Sequence, residues 1–414
     1  MVKDLYNPYE KYGLKRVLNA ATQLTRLGGS IPSPEVFRAM EDASKSFVWI
    51  PELQAWAGKI IAEVTGAEAG LPTAGAANAL QLAAAACIMK GTELEKYDPL
   101  GPITWTPILQ KLPRHTEGLK TEFIVQKCDR SLYDNVVEYV GGQLVEVGTA
   151  DGATEKELED AFNPEKTAGY YYTVRTSYKP LPLKTVIKIA HRHGVPIIVD
   201  AASELPPKKN LKKYIAMGVD LVIFSGGKDM SGPNNSGILA GRKDLVKLAH
   251  LQAYPFQGVG RVAKMSRETI VGFVVALKIY LELDEETRFK AWEKKVKWTA
   301  EQLNAIPDVG AEVFYQTTVE ENEPFVPTVV VKIDEKAYGM TTKDLSNKLK
   351  EGNPSIEAPY EAYYLGPNSS GTMEFYKGKL AIDPQCLLEG EESIIVERIK
   401  EILTVRKIQP IKQK

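Results

Sequence analysis

The sequence predicts an α/β protein: a mainly parallel sheet with helices on both faces, followed by a smaller α+β region. Three observations carry that expectation. Between Phe123 and Ile223, short apolar runs of strand length alternate with helical segments, a pattern that produces parallel strands joined by crossover helices. The chain has 414 residues, too many for one simple core when a domain takes roughly 100–200. A long helical stretch from Arg267 to about Leu303 separates the alternating region from a C-terminal part with fewer strands.

Composition narrows the class. The 52 Lys and Arg nearly balance the 53 Asp and Glu, so no overall field draws in nucleic acid or a membrane surface. Cys87, Cys128 and Cys386 form no CxxC pair; the spacing gives neither a zinc knuckle nor a disulfide framework and suits a reducing, cytoplasmic compartment. The longest apolar runs, Leu82–Met89 and Ile270–Leu277, fall far short of the roughly 20 residues of a membrane helix. No signal-peptide core precedes Leu18.

Along the chain, residues 19–34 are rich in Gly, Ser, Thr and Pro and read as an irregular arm. A helix starts after Ser33, with Pro34 at its first position. A second runs from Leu53 to Val64 and ends at Gly66, and an Ala-rich helix occupies Thr73–Met89. Residues 90–121 carry three prolines and read as an irregular excursion. Strands follow at Phe123–Gln126, Gln143–Val147, Tyr170–Val174, Pro196–Val199 and Leu221–Phe224, with helices at Leu132–Val140, Glu155–Phe162, Leu183–His191 and Leu211–Met217 between them. Beyond the long helix come strands at Thr328–Ile333 and Lys379–Ile382 and helices at Thr342–Lys350 and Glu391–Leu403. The divisions expected are an arm with the first helix over 1–50, a large domain over 51–285, and a small domain over 286–414 packed with the arm.

Two motifs carry chemistry. Val199-Asp200-Ala201-Ala202-Ser203 and Ser225-Gly226-Gly227-Lys228 each follow an apolar strand, with one helix between the strands. A right-handed crossover makes those strands parallel, so Asp200 and Lys228 emerge together at the carboxyl edge of the sheet, where open α/β sheets bind ligands. A lysine amine that can form a Schiff base and move protons at a substrate Cα, beside a carboxylate that keeps a pyridine nitrogen protonated, is what pyridoxal phosphate (PLP) chemistry uses. Taken alone, the same residues also fit a solvated loop lysine and an ordinary strand-end aspartate. A third element, Thr73-Ala74-Gly75-Ala76-Ala77-Asn78, enters a helix through small residues whose N–H groups can cradle a phosphate. A plain packing helix is the bland reading of that segment; the three elements together point to PLP.

The chain resembles the selenocysteine-synthase-like branch of fold-type I PLP enzymes, especially members similar to D-glucosaminate-6-phosphate ammonia-lyase. The similarity rests on LNAATQLTRLGGSIPSPEV (18–36), the 49–87 stretch containing TAGAANAL, VGGQLVEVG (140–148), HGVPIIVDAASELPP (193–207), GVDLVIFSGGKDMSGPNNSGILAGRKDLV (218–246) and GVGRVAKMSRETIVG (258–272). It implies a fold-type I PLP-dependent transferase fold with a seven-stranded sheet. It also implies Lys228 as the Schiff-base residue, Asp200 at the pyridine nitrogen, Ala202 on the ring face, and Gly75, Ala76 and Ser225 at the phosphate. The Gly258–Gly260 turn resembles the loop offered to a neighbouring subunit's phosphate, so the resemblance implies a homodimer or larger ring with interfacial sites.

Departures accompany it. Where relatives carry a histidine near the ring, this chain has Gln126-Lys127-Cys128-Asp129-Arg130, so Cys128 is a candidate for the ring-facing place. Residues 354–364 (PSIEAPYEAYY) lack the arginine that often binds a substrate carboxylate; Arg261 and Lys264 are the candidates in its stead, and Thr25 in the arm is a third substrate contact by analogy. His191 and His193 read as dipole partners at a helix end rather than metal ligands. The expected activity is a PLP-dependent lyase that releases ammonia from an amino acid or sugar amino acid by α,β-elimination. The competing expectations are a selenocysteine-synthase-type transferase, a racemase, an aminotransferase, and a catalytically silent assembly subunit.

Overall fold

The structure, a computed structural model, describes residues 7–102, 106–174, 180–317, 324–362 and 376–407. It divides into two compact units, one of Ser30–Leu283 and one of Met1–Gly29 with Asp284–Lys414.

The larger unit is built on seven strands: β1 (Ala69–Thr73), β2 (Glu122–Gln126), β3 (Gln143–Val147), β4 (Thr167–Thr173), β5 (Ile197–Asp200), β6 (Leu221–Ser225) and β7 (Gly237–Gly241), in the order β1-β7-β6-β5-β4-β2-β3. Only β7 runs antiparallel to its neighbours. Side chains alternate between two cores, as a pleated strand requires. Leu221 and Ile223 join the Ala-rich helix Ala76–Met89 and the helix Lys243–Gln252 on one face. Val222 and Phe224 join the helices Leu183–Arg192 and Arg267–Glu282 on the other. Burial on both faces explains why these strands read as unbroken apolar runs.

The smaller unit pairs Leu380–Ile382, Pro324–Ile333 and Val309–Thr317 into an antiparallel sheet. A separate parallel pair joins Val17–Asn19 to Ser355–Glu357. Its core collects Leu18, Val296, Leu303, Val329, Leu345 and Ile395.

Several elements differ from expectation. The Ala-rich segment is a strand to Thr73 and a helix only from Ala76. Pro72 cannot donate to a ladder, yet β1 is an edge strand and tolerates it. The long stretch after Arg267 is two helices, Arg267–Glu282 and Glu285–Asn304, divided where the Asp284 side chain accepts from the N–H groups of Glu286 and Thr287. Residues 134–140 form a 3-10 turn rather than a full α-helix. The residue pattern does not locate strand β7, because GILAG offers neither alternation nor β-branched enrichment. No described helix is long and apolar enough to cross a membrane.

Candidate active site

Asp200 ends β5 and Ser225 ends β6, adjacent parallel strands paired through Asp200↔Ile223. In register, Thr173, Asp200 and Ile223 share the sheet face that carries the Ala-rich helix. Ser225 is two residues beyond Ile223 and lies on that face too, opposite Gly237, which in turn opposes Thr73. The carboxyl edge therefore presents Thr73, Ser225, Asp200 and Thr173 side by side beneath the start of that helix.

The turn after β5 is rigidly built. Ala201 N–H donates to the Ile223 carbonyl (3.0 Å), Ala202 N–H to Asp200 Oδ1 (3.0 Å) and Glu204 N–H to the Ala201 carbonyl (3.1 Å). Asp200 is buried. On the turn after β6, partly buried Lys228 extends its amine to Ser203 Oγ at 2.5 Å. Burial pulls that amine below its ordinary pKa, against the opposing pull of the Asp200 and Glu204 carboxylates. Burial likewise pushes the Glu204 carboxyl up to about 7, with Asp200 adding to the rise and the Tyr214 hydroxyl at 3.4 Å opposing it.

Gly226 and Gly227 serve close approach rather than an unusual φ. A Cβ on Gly226 would lie 2.4 Å from Ser236 Oγ, and one on Gly227 2.7 Å from the Asn234 backbone. Ser30 caps the turn, donating from both its N–H and its hydroxyl to the Gly227 carbonyl at 3.0 Å.

The cradle is equally tight. Gly75 stands at φ +95° as the residue before the helix, and Ala74 N–H donates to Asn78 Oδ1 at 3.2 Å. The first-turn amides, Ala76 foremost, have no partner within the helix. Behind them Gly237 must lack a side chain, since its Cβ would meet Gly75 C at 2.7 Å, Ala76 N at 2.9 Å and Thr73 Oγ1 at 2.9 Å.

The cofactor implied by these residues, PLP, fits the donor set. The phosphate matches the open first turn of a helix with Thr73 and Ser225 hydroxyls on the neighbouring strand ends. The pyridine nitrogen matches buried Asp200, and the aldehyde matches the Lys228 amine. Thr173 Oγ1, buried and without a hydrogen-bond partner among the described residues, lies in register beside Asp200 as a further polar group on the same face.

The other expected residues lie as follows. Gly258 and Gly260 flank a turn clamped on Gln252: Val259 N–H donates to its Oε1 (3.1 Å) and Gly260 N–H to its carbonyl (2.9 Å). Gln81 of the Ala-rich helix donates to the Val259 carbonyl at 3.4 Å. Arg261 stacks over the Tyr254 ring at 5.3 Å, and Lys264 is exposed. Cys128 is buried on the turn after β2. His191 meets Asp220 (3.0 Å) and His193 meets Glu159 (2.7 Å), so both act as carboxylate partners. Thr25 is exposed in a 3-10 turn of the smaller unit. Beside residues 356–361 in that unit, a cleft of about 370 Å³ is lined by Arg26, Lys343 and Lys350. Arg26 and Lys350 both pair with Glu357, at 2.7 and 3.3 Å. Tyr363 and Tyr364, the end of the arginine-free stretch, lie outside the described residues.

Sequence reasoning includes Thr73 and Ser203 in its motifs without a role of their own and passes over Glu204 and Gly237. Ser203 and Glu204 stand within the DAASE motif itself and could have been weighed there; Gly237 carried no signal without the strand order.

The family model for L-seryl-tRNA selenium transferase matches residues 133–305. Over 403 residues the chain is 30% identical to the 5'-C-glycyluridine monooxygenase-decarboxylase of Streptomyces sp, covering 95% of this chain and 92% of that protein. Over 404 residues it is 29% identical to the D-glucosaminate-6-phosphate ammonia lyase of Salmonella typhimurium (strain 14028s / SGSC 2262), covering 96% and 98%. A solved structure of D-glucosaminate-6-phosphate ammonia-lyase superposes with a TM-score of 0.78 at 28% identity, covering 97% of this chain and 99% of that one. A structure of SPT with the PLP internal aldimine shares the fold at a TM-score of 0.54 and 11% identity, over 95% and 89% of the two chains. At 30% identity over nearly the whole of both chains, the chain belongs to the selenocysteine-synthase-like family of fold-type I, PLP-dependent enzymes.

Proposed function

We propose that this enzyme is a lyase that releases ammonia from an amino acid or sugar amino acid by α,β-elimination. The observation that carries the reading is the placement of the Lys228 amine and the buried Asp200 carboxylate on one sheet edge, one strand apart, in a chain similar along its length to an ammonia lyase. Bound PLP supplies an electron sink for the charge left at the substrate Cα.

The chain's own residues do the rest. Lys228 would hold the cofactor covalently, and its amine would take the proton from the substrate Cα. Its depressed pKa keeps a larger share of the amine neutral, as a base must be. Asp200 holds a proton on the pyridine nitrogen by a charge-assisted hydrogen bond, and Ala202 packs against the ring. Gly75, Ala76 and Ser225, with Thr73, hold the phosphate and fix the ring's orientation. The group at Cβ leaves with its bonding pair, as water when it is a hydroxyl that gains a proton. The unsaturated amine then tautomerises and hydrolyses to a keto acid and ammonia.

Gly258 and Gly260 serve the phosphate of a neighbouring subunit in this reading, and Thr25, Arg261 and Lys264 are its candidate substrate contacts. Self-association is supported by Phe37, Phe47, Trp49 and Val262, exposed to 53%, 93%, 75% and 85% in the single chain. Cytoplasmic residence is supported by three free cysteines.

A second reading has one observation behind it, the 30% identity to a monooxygenase-decarboxylase. The same active site would then pass electrons to dioxygen and lose the substrate carboxylate as carbon dioxide. Purified wild type and Lys228→Ala, given a panel of hydroxylated and sugar amino acids with and without air, separate the two. Elimination is expected to yield ammonia and keto acid at equal rates in both atmospheres, with Lys228→Ala inactive. Turnover that requires air and releases carbon dioxide would replace the lyase reading.

A further inference from the structure

Lys228 reaches its position through a flexible four-carbon stem, and its amine must stay aimed while remaining uncharged. Three groups act on it. Asp200 and Glu204 are carboxylates and draw it toward the protonated form. Ser203 is a neutral hydroxyl 2.5 Å from Nζ.

The place of Ser203 does not depend on the lysine. It sits between Ala202, whose N–H is bonded to Asp200 Oδ1, and Glu204, whose N–H is bonded to the Ala201 carbonyl. Its side chain is exposed, so the contact with Lys228 is not needed to satisfy a buried polar group. A carboxylate in the same place would hold the amine equally well but would keep it protonated. A hydroxyl accepts one N–H and leaves the nitrogen lone pair free for an electrophile or a Cα proton.

We propose that Ser203 is a positioning residue that holds the Lys228 amine by a neutral hydrogen bond, both before cofactor attachment and after the substrate has displaced the lysine. The proposal rests on the reading of Lys228 as the attachment point and adds to it the residue that aims the amine.

The test uses the full chain stripped of cofactor, mixed with PLP. The aldehyde condenses with the amine and releases water; the rate is followed by visible absorbance across pH, and borohydride trapping with peptide mapping locates the link. Ser203→Ala is expected to slow attachment about tenfold, the loss that one net hydrogen bond brings, with an unchanged thermal midpoint. Ser203→Thr should restore most of the rate. Ser203→Asp should move the pH at which attachment becomes fast upward, a change that a purely structural residue would not produce. Wild-type rates in Ser203→Ala, or an unmoved pH profile in folded Ser203→Asp, would overturn the proposal. A wild-type chain that never links PLP to Lys228 would instead remove the reading of Lys228, and this inference with it.

Discussion

At the scale of single residues, the carboxyl edge of the sheet sets two ionisable side chains against their ordinary preferences. Lys228 has its pKa lowered by burial, and Glu204 has its carboxyl raised to about 7 by the same cause. For Glu204 the sign is clear: the folded chain holds its proton more tightly than the unfolded chain. The stabilisation is therefore complete below the ordinary value of 4.5 and is lost as pH rises through about 7. Glu204→Gln removes this dependence. Across that interval the thermal midpoint of the cofactor-free wild type is expected to fall relative to the variant, by about 2–4 °C for each kcal/mol of buried-charge cost. Parallel melting curves for the two proteins from below pH 4.5 to above pH 7 would contradict it.

At the scale of elements, the proposed phosphate cradle depends on three strands meeting closely behind one helix. β7 inserts antiparallel between β1 and β6, so the backbone of Gly237 comes to lie directly behind Gly75 and Ala76. A methyl group there meets backbone atoms at 2.7 and 2.9 Å, and backbone on both sides yields little. Gly237→Ala is expected to cost roughly 1–3 kcal/mol, as overpacking does, and to weaken PLP binding by displacing the first turn of the Ala-rich helix. Urea unfolding of the cofactor-free protein and a fluorescence titration with PLP measure the two effects separately. A variant with unchanged stability and affinity would show that the cradle does not need this contact.

At the scale of the whole molecule, the larger unit leaves apolar side chains uncovered. Phe47 stands 93% exposed with the Arg267 guanidinium 5.4 Å from its ring, and Trp49 follows at 75%. Exposed apolar side chains of this kind mark an interaction surface, and the self-association proposed above would cover them. Phe47→Asp with Trp49→Asp is expected to shift sedimentation toward a smaller species and to lower activity in parallel. Unchanged sedimentation would place the subunit contact elsewhere.

The sequence by itself determined the parallel α/β core, because strands buried on both faces must be continuous apolar runs and their crossovers leave helical periodicity between them. It also placed Asp200 and Lys228, the two residues proposed for the cofactor chemistry, on the same edge, since each follows a legible strand and one crossover joins the strands. Tertiary structure alone decided what surrounds them. β7 has a composition without strand signal, so Gly237 acquired its role only when the sheet order placed it between Thr73 and Ser225. The long C-terminal helical periodicity continues across Leu283, and only the Asp284 side chain, satisfying two amides, turns it into two helices. Ser203 and Glu204 stand in or beside the Asp200 motif with no role legible in the sequence; a hydrogen bond to a residue 25 positions away and a pKa set by burial exist only once the chain has folded, because both are properties of distance through space.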